Sequence, residues 1–361
     1  MPIRYIDTNA EKLDIKWRIS MLDVKDIDAV FYHIKFNGGL DWATDAINFI
    51  KKNQRIGVKY IISGVGEAPF KTDVLRVINF DENVIYIDSG IDSFHTRHVN
   101  LSYFFSFKIR AEANIREQNK DFTPIPFFDR DKYFVCLNRK YKIHRTAFVK
   151  LLHITGLNSK GIITLNHQIT STAGNQVPPP GYGYKLYNQG DKVMSPVTID
   201  LSNNEKFKVS LAISPIFNNL GDNALINMIN ETSFFYNTDP TYVNPWNRVF
   251  VTEKTVKSFI MHQLPLFLTV DGHVQYLKDN GFDLFEDFIN HSYDSITDPL
   301  LKTTAVFGEL YRLCNEYTID EIRAYCEKNK ERFLYNVNNC DIVYAKELDT
   351  ALNKIKILLE S

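Results

Sequence analysis

The sequence has few cysteines, no excess charge of either sign and no long apolar run. Only four of its 361 residues are cysteine, and no two have the CxxC spacing of a metal or redox site. The net charge is −1, so bulk charge does not favour non-specific binding to nucleic acid. No uncharged run approaches the roughly 18 to 20 residues of a membrane span. We therefore expect reduced thiols in a soluble, cytoplasmic protein with no membrane partner.

The sequence also lacks the motifs of several enzyme classes. It contains no P-loop and no complete dinucleotide fingerprint, and its nine histidines form no HExxH motif. Acidic pairs of the DxD form occur at 26–28 and 129–131, but each precedes a predicted strand instead of following one. We interpret both pairs as solvated turns. These absences argue against a zinc enzyme and a P-loop hydrolase, and they predict chemistry without a metal.

The residues that are present indicate a globular α/β protein. Apolar residues make up 44% and aromatic residues 13%, enough to fill large cores. Strand-like and helix-like patterns alternate, as in parallel sheets with helices on their faces. Strands are predicted at 28–36, 56–63, 83–87, 133–138, 161–165, 224–229 and 265–270, with helices at 42–52, 144–153, 252–262, 272–279, 298–331 and 345–359. The predicted fold is two Rossmann-like domains that face a cleft.

A proline-containing break at 123–128 sets the predicted domain boundary. Residues 1–125 form the first α/β domain and residues 126–344 the second, followed by a C-terminal helix at 345–361. An irregular insert at 166–204 interrupts the second domain and is either a surface decoration or a loop that binds a ligand. Because open α/β sheets bind ligands at the carboxyl ends of their strands, the fold predicts a nucleotide-like ligand in the cleft.

A predicted helix start at 252–255 places charged residues beside free backbone N–H groups. Thr252 is a good N-cap, and Glu253 and Lys254 fall in the first turn. A helix N-terminus attracts phosphate, so Lys254 is placed to neutralise a pyrophosphate, and Glu253 to accept hydrogen bonds from two ribose hydroxyls. The alternative is a helix start with complementary charge, where Glu is favoured and Lys is not. The segment alone leaves both interpretations open.

Two further segments place polar residues after a predicted strand. The run from Asn138 to Arg145 holds four basic residues and a histidine. It predicts an anion site that includes Asn138, Arg139 and Arg145, or else a solvated loop without a ligand. Glu67 follows the strand that ends at Ser63 and would face the cleft as a general base, the alternative being a solvated loop glutamate.

In this order the segments resemble the fucosyltransferase family, whose fold is of the two-domain GT-B type. The residues that carry the resemblance are Ser63, Gly66, Glu67 and Pro69 for a TGE…SP stretch, Arg145 and Phe148 after the strand sequence VCLN, and Asn230, Glu231, Thr232 and Val251–Lys254 for a FENT…YVTEK block. The C-terminal block, with Phe288–Asp294, is also similar to uncharacterised glycosyltransferase-like proteins of phages and marine microbes that share a TEKT sequence.

The resemblance implies a role for each matching residue. Arg145 and Lys254 would bind the pyrophosphate of a nucleotide-sugar donor, and Glu253 would hold its ribose. Glu67 would deprotonate the acceptor hydroxyl, with inversion at the sugar carbon. The rest of the predicted donor site is Thr252, Asn138, Arg139 and Glu231. Residues 1–125 would then form the acceptor side and residues 126–344 the donor side.

The implied activity is that of a hexosyl- or pentosyltransferase that uses a nucleotide sugar as co-substrate and no cofactor. The acceptor would be a glycan or, as the phage-like block indicates, a hydroxymethylated pyrimidine in DNA, which would have to flip into the cleft. The cell would be a bacterium or a phage-infected bacterium. The alternative is a non-catalytic nucleotide- or glycan-binding protein of the same fold, favoured if Glu67 lies far from the cleft. The oligomeric state stays open.

Overall fold

The computed structural model of the chain describes residues 4–5, 19, 21–22, 28–33, 58–63, 83–88, 97–101, 105, 124–138, 143–165, 223–231, 234 and 249–361. Four features predicted from the sequence lie outside these ranges: the helix at 42–52, the loop with Glu67, the basic residue Arg139 and the insert at 166–204.

The first sheet has five parallel strands that follow one another in chain order. They are β1 (Arg4–Tyr5), β2 (Asp28–His33), β3 (Val58–Ser63), β4 (Val84–Asp88) and β5 (His98–Asn100). The side chains of 60–62 and 84–87 are buried without alternation. Such continuous apolar runs form strands that are covered on both faces, as parallel strands are.

The second sheet has four parallel strands in a different order. Its elements are β6 (Lys132–Asn138), α1 (Ile143–Ile154), β7 (Gly161–Leu165), β8 (Ala224–Asn230), α2 (Glu253–Ile260) and β9 (Leu264–Leu268), and the strand order is β7-β6-β8-β9. The chain leaves β6 towards one side and returns on the other, so a topological switch point lies between β6 and β8. A Cβ at Gly161 would lie 2.4 Å from the Phe134 ring, and glycine allows β7 to pack there.

Four helices complete the described chain: α3 (His273–Asp279), α4 (Pro299–Glu316), α5 (Ile319–Lys328) and α6 (Lys330–Glu360). Asp298 caps α4, with Pro299 in its first turn, and Thr318 and Glu321 form a capping box at α5. The region predicted as helical at 298–331 is therefore interrupted at Tyr317 and again at Asn329.

The last helix is longer than predicted. It begins at Lys330, whereas the sequence pattern predicted a helix over 345–359. Two buried asparagines interrupt the apolar pattern of its first half. Asn336 donates to the backbone oxygen of Asp283 and Asn339 to that of Asn280. These hydrogen bonds stabilise the two polar residues on the buried face of the helix. Polar residues at these positions interrupt the apolar spacing from which a helix is predicted.

An aromatic core joins residues from both halves of the chain. The ring of Phe282 stacks between Phe105, at 5.3 Å, and Phe259 of α2, at 4.7 Å. The side chains of Phe282 and Phe285 are 4% and 0% exposed and belong to this core. Helix α6 contacts both β5 of the first sheet and α2 of the second.

The predicted fold class is confirmed. The chain is an α/β protein with two parallel, Rossmann-like sheets, the first built from residues before the proline-containing break and the second from residues after it. All four cysteines lie in the described ranges, are buried and form no disulfide bond. Within the described ranges, no helix combines the length and the apolar character needed to cross a bilayer.

Candidate functional site

The candidate site lies at the switch point of the second sheet, where β6 and β8 end. Asn138 is the last residue of β6 and Asn230 the last of β8, and both side chains are 1% exposed. The Asn230 amide donates to Oδ1 of Asn138 at 3.0 Å. Ligands of open α/β sheets bind in the crevice beyond this edge. The described strands of the first sheet run in chain order and contain no such switch point.

Helix α1 brings a buried cation to this edge. The Arg145 guanidinium donates to the backbone oxygen of Asn230 at 2.9 Å, and its side chain is 3% exposed. Nε2 of His144 donates to the backbone oxygen of Glu231 at 3.0 Å, since a carbonyl oxygen only accepts. Burial lowers the pKa of Arg145, while the nearby Glu231 carboxylate raises it in part. Both side chains therefore fix the start of α1 to the end of β8.

The carboxylate of Glu231 binds the start of α2. Thr252 is the N-cap of this helix, and its hydroxyl lies 2.6 and 2.8 Å from the two oxygens of Glu231. The same hydroxyl accepts the backbone N–H of Lys254 at 3.2 Å. The Lys254 ammonium lies 3.4 Å from Glu231 and 3.4 Å from Glu253. The N-cap predicted at Thr252 is thus confirmed, and it is held by a buried acid.

Three charged side chains lie in the first two turns of α2: Glu253, Lys254 and Lys257. The side chains of Glu253 and Lys254 are 18% and 28% exposed. Burial alone would raise the pKa of Glu253, but Lys254 and Lys257 offset that effect and hold it below its ordinary value. Burial lowers the pKa of Lys257 to about 8, although Glu253 opposes this. Glu253 is therefore an ionised hydrogen-bond acceptor at neutral pH.

Sequence reasoning missed two residues that extend this network. Thr255 donates to Glu231 at 3.3 Å, and its hydroxyl lies 3.4 Å from Nε2 of His273 in α3. The spacing from Thr252 to Thr255 places both hydroxyls on one helix face, and this spacing is visible in the sequence. His273 comes from an element far along the chain, and no local pattern marks it. Its side chain is fully buried, and burial lowers its pKa to about 4.

A third missed residue, Cys136, lies beneath the two asparagines. Its sulfur accepts hydrogen bonds from the side-chain amides of Asn138 at 3.3 Å and Asn230 at 3.4 Å. Burial raises the pKa of this thiol to about 12. Because only the thiolate is a strong nucleophile, Cys136 is a packing residue at neutral pH.

The structure brings six of the eight predicted site residues into one connected group: Asn138, Arg145, Glu231, Thr252, Glu253 and Lys254. Glu67 and Arg139 lie outside the described residues. The group combines two cations with the N-terminus of a helix, and the carboxylates of Glu231 and Glu253 lie beside Lys254. This combination is suited to binding an anion such as a diphosphate.

Of the DxD candidates, the pair at 129–131 is a turn, as predicted. Asp129 and Asp131 are exposed, and the strand that follows begins at Lys132. Between them, Arg130 is fully buried and donates to backbone oxygens, among them those of Ala224 and Met261. In the part of the chain that the structure describes, no group of three or more His, Cys, Asp or Glu side chains is arranged to hold a metal ion.

A cavity of about 920 Å³ lies elsewhere, between α3, α4 and the segment at 286–295. None of the predicted site residues lines it. Its basic side chains are paired with acids: Lys278 with Glu286 at 2.8 Å, and Arg312 with Glu309 at 2.6 Å. Lys254 at the switch point is paired with acids too, so ion pairing does not separate the two places. We place the candidate site at the switch point because six of the predicted residues meet there.

Comparisons with known proteins assign no family to this chain. No family model and no curated protein matches the chain. One solved structure, an α,α-trehalose 6-phosphate synthase from Burkholderia multivorans, is similar at 11% identity and a TM-score of 0.32, over 93% of this chain and 74% of that one. Similarity at this level shows neither a common fold nor a common activity.

Proposed function

We propose that the protein is a glycosyltransferase that binds a nucleotide-sugar donor at the switch point of the second sheet. One observation carries this proposal. Arg145 and Lys254, from two different helices, are both tied to the end of β8, at residues 230–231, beside the N-terminus of α2. Their position matches that expected for a diphosphate at the carboxyl edge of an open α/β sheet.

The chemistry of glycosyl transfer fits these residues. When the sugar leaves, negative charge develops on the nucleoside diphosphate, and fixed cations stabilise it. Arg145 and Lys254 would supply that charge without a metal. Glu253 is ionised and partly exposed, so it would accept hydrogen bonds from the ribose hydroxyls of the donor. The resemblance to fucosyltransferases supports the same assignments.

The acceptor half of the proposal rests on the sequence. Glu67, in the loop after β3, would be the general base that removes the proton of the acceptor hydroxyl, with inversion at the sugar carbon. The acceptor would be a glycan or hydroxymethylated DNA. Retention on a duplex-DNA column that weakens steeply with salt would favour DNA, and elution without such dependence would favour a glycan.

The test is donor turnover in the presence of EDTA. Purified protein is incubated with UDP-, GDP-, CMP- and dTDP-sugars, and release of the nucleotide is measured. We expect one donor class to be consumed. Lys254→Ala should lower the rate by about a hundredfold or more, because it removes a cation that the transition state needs. Lys278→Ala, which removes a lysine paired with Glu286 outside the site, is the matched control and should leave the rate unchanged.

Two results would contradict the proposal. If wild type and Lys254→Ala turn over a donor equally well, Lys254 has no role in the reaction. If wild type binds a nucleotide sugar but never consumes it with any acceptor, the protein is the non-catalytic binding protein of the alternative hypothesis. Glu67→Gln separates the two halves of the proposal, since it should abolish transfer to the acceptor and leave donor binding intact.

A further inference from the structure

The acid of the candidate site, Glu231, is buried and bound by its own neighbours. Its side chain is 1% exposed. One oxygen accepts from Thr252 and Thr255, and the other accepts from Thr252 and Lys254. The Thr252 hydroxyl has one hydrogen, which it shares between the two oxygens, so three donors bind this carboxylate. Glu231 therefore acts on the site only through its neighbours.

Those neighbours are the parts of α2 that an anion would contact. Through Thr252, Glu231 fixes the hydroxyl that accepts the backbone N–H of Lys254. Through its second oxygen it holds the Lys254 ammonium. The Lys254 side chain is 28% exposed, and its ammonium lies 3.4 Å from Glu253 as well as from the buried acid. A lysine has four rotatable bonds, and holding it in one position before binding lowers the cost of ordering it.

We propose that Glu231 is a positioning residue that holds Lys254 and the N-terminus of α2 ready for a diphosphate. This inference rests on the proposed donor site, and it changes the role expected of Glu231 from ligand contact to support. Thr252 is the link between the acid and the helix, and Thr255 braces the acid from the same helix face.

Removal of the Glu231 charge changes the affinity for an anion in opposite directions if Glu231 positions Lys254 and if it merely lies near the anion. A carboxylate that merely lies near an anion repels it, so its removal would tighten binding. A carboxylate that positions Lys254 helps the anion to bind, and its removal would weaken binding. The probe is inorganic pyrophosphate, whose affinity for the full-length protein is measured by calorimetry in EDTA. It needs neither the correct nucleobase nor the correct sugar.

The variant is Glu231→Gln, which keeps the size of the side chain and removes its charge. We expect pyrophosphate to bind about fivefold more weakly than to wild type, the effect of losing one charged hydrogen bond. In a Lys254→Ala background the same change should alter affinity by less than about twofold, because the residue that Glu231 positions is already absent. Glu286→Gln, outside the site, is the control and should bind as wild type does.

A second pair of variants covers the case in which Glu231→Gln does not fold. Thr252→Val keeps the shape of the N-cap and removes its hydroxyl, so it should weaken pyrophosphate binding to a similar degree. Thr252→Ser restores the hydroxyl and should restore the affinity.

Three results would overturn the inference: unchanged or tighter binding in Glu231→Gln, an equal loss in the Lys254→Ala background, or wild type that does not bind pyrophosphate. The proposed activity fails by a different measurement, the absence of donor turnover.

Discussion

At the residue scale, the site depends on hydrogen bonds among buried polar groups. The end of β8 accepts hydrogen bonds from Arg145 and His144, and the Glu231 carboxylate accepts those of two threonines and a lysine. A buried charge without partners would cost several kcal/mol, so these contacts are needed for the fold as well as for the site. The strand ends and the N-cap could be predicted from the sequence, because both are local patterns.

The contacts between elements were not predictable in the same way. Glu231 and Lys254 are 23 residues apart in the chain, and only the folded sheet brings the strand end to the helix start. His273 joins the network from α3, and Cys136 lies beneath it in β6. No spacing rule connects these positions, so the sequence alone predicts which residue types are present but not which of them meet.

The pH dependence of stability follows from the buried histidine of this network. Burial lowers the pKa of His273 to about 4, below the usual 6.5. The unfolded chain therefore binds a proton at a pH where the folded protein does not. The stability that neutral His273 contributes is complete above about pH 6.5, is lost as the pH falls from there, and is gone below about pH 4. Its share is about 3 kcal/mol.

Urea unfolding measured between pH 4 and pH 8 tests this prediction. His273→Gln, which does not titrate, should lose that part of the pH dependence. His262 keeps its own share, because burial and Arg130 lower its pKa to about 4 as well. His153→Gln, in α1, controls for the loss of a histidine elsewhere. An unchanged pH profile in His273→Gln would contradict the account.

At the element scale, one strand has the bounds that the sequence predicts, whereas the last helix does not. The strand at Gly161–Leu165 has the bounds that the sequence pattern predicts, because an apolar run between turn residues is a local signal. Helix α6 begins fifteen residues before its prediction (345 − 330), because Asn336 and Asn339 interrupt the apolar face. Their hydrogen-bond partners lie at 280–283, and these contacts are known only from the fold.

Helix α6 should contribute strongly to stability through Phe333 near its start. The Phe333 ring lies 4.4 Å from that of Phe285 and 5.2 Å from that of Phe127, and its side chain is 1% exposed. Phe333→Ala should lower the free energy of unfolding by about 3 to 5 kcal/mol, because it leaves a cavity in the core. The next residue on the same helix, Leu334, is 42% exposed, and Leu334→Ala should change the stability by no more than about 0.5 kcal/mol.

Chemical unfolding of both variants measures the difference. Similar effects would mean that the Phe333 cluster does not anchor α6. The comparison uses adjacent positions of one helix, so a change in helix propensity alone does not account for a large gap between them.

At the scale of the whole molecule, the two parallel sheets differ in topology. The strands of the first sheet follow one another in chain order. In the second, the chain adds β7 on one side of β6 and β8 on the other, and open α/β sheets bind ligands beside such a switch point. The proposed donor site lies at this switch point. The predicted fold class needed only the alternation of strands and helices. The position of the site needed the strand order, which the sequence does not reveal.

Helix α6 connects the two sheets through its contacts with β5 and α2. Because α2 carries Lys254 at its N-terminus, helix α6 contacts both the first sheet and the helix of the proposed donor site. The division of the chain into domains at 125/126 and 344/345 stays a prediction.

The most direct test of the central claim is whether a nucleoside diphosphate binds at the end of β8. Thermal unfolding is measured with UDP, GDP and dTDP in EDTA, for wild type, Lys254→Ala and Lys278→Ala. We predict that one nucleotide raises the melting temperature of wild type and of Lys278→Ala. At about 100 times the dissociation constant the stabilisation should be about 2.7 kcal/mol. The increase should be lost in Lys254→Ala. An equal increase in all three proteins, or none in wild type, would contradict a donor site at the switch point.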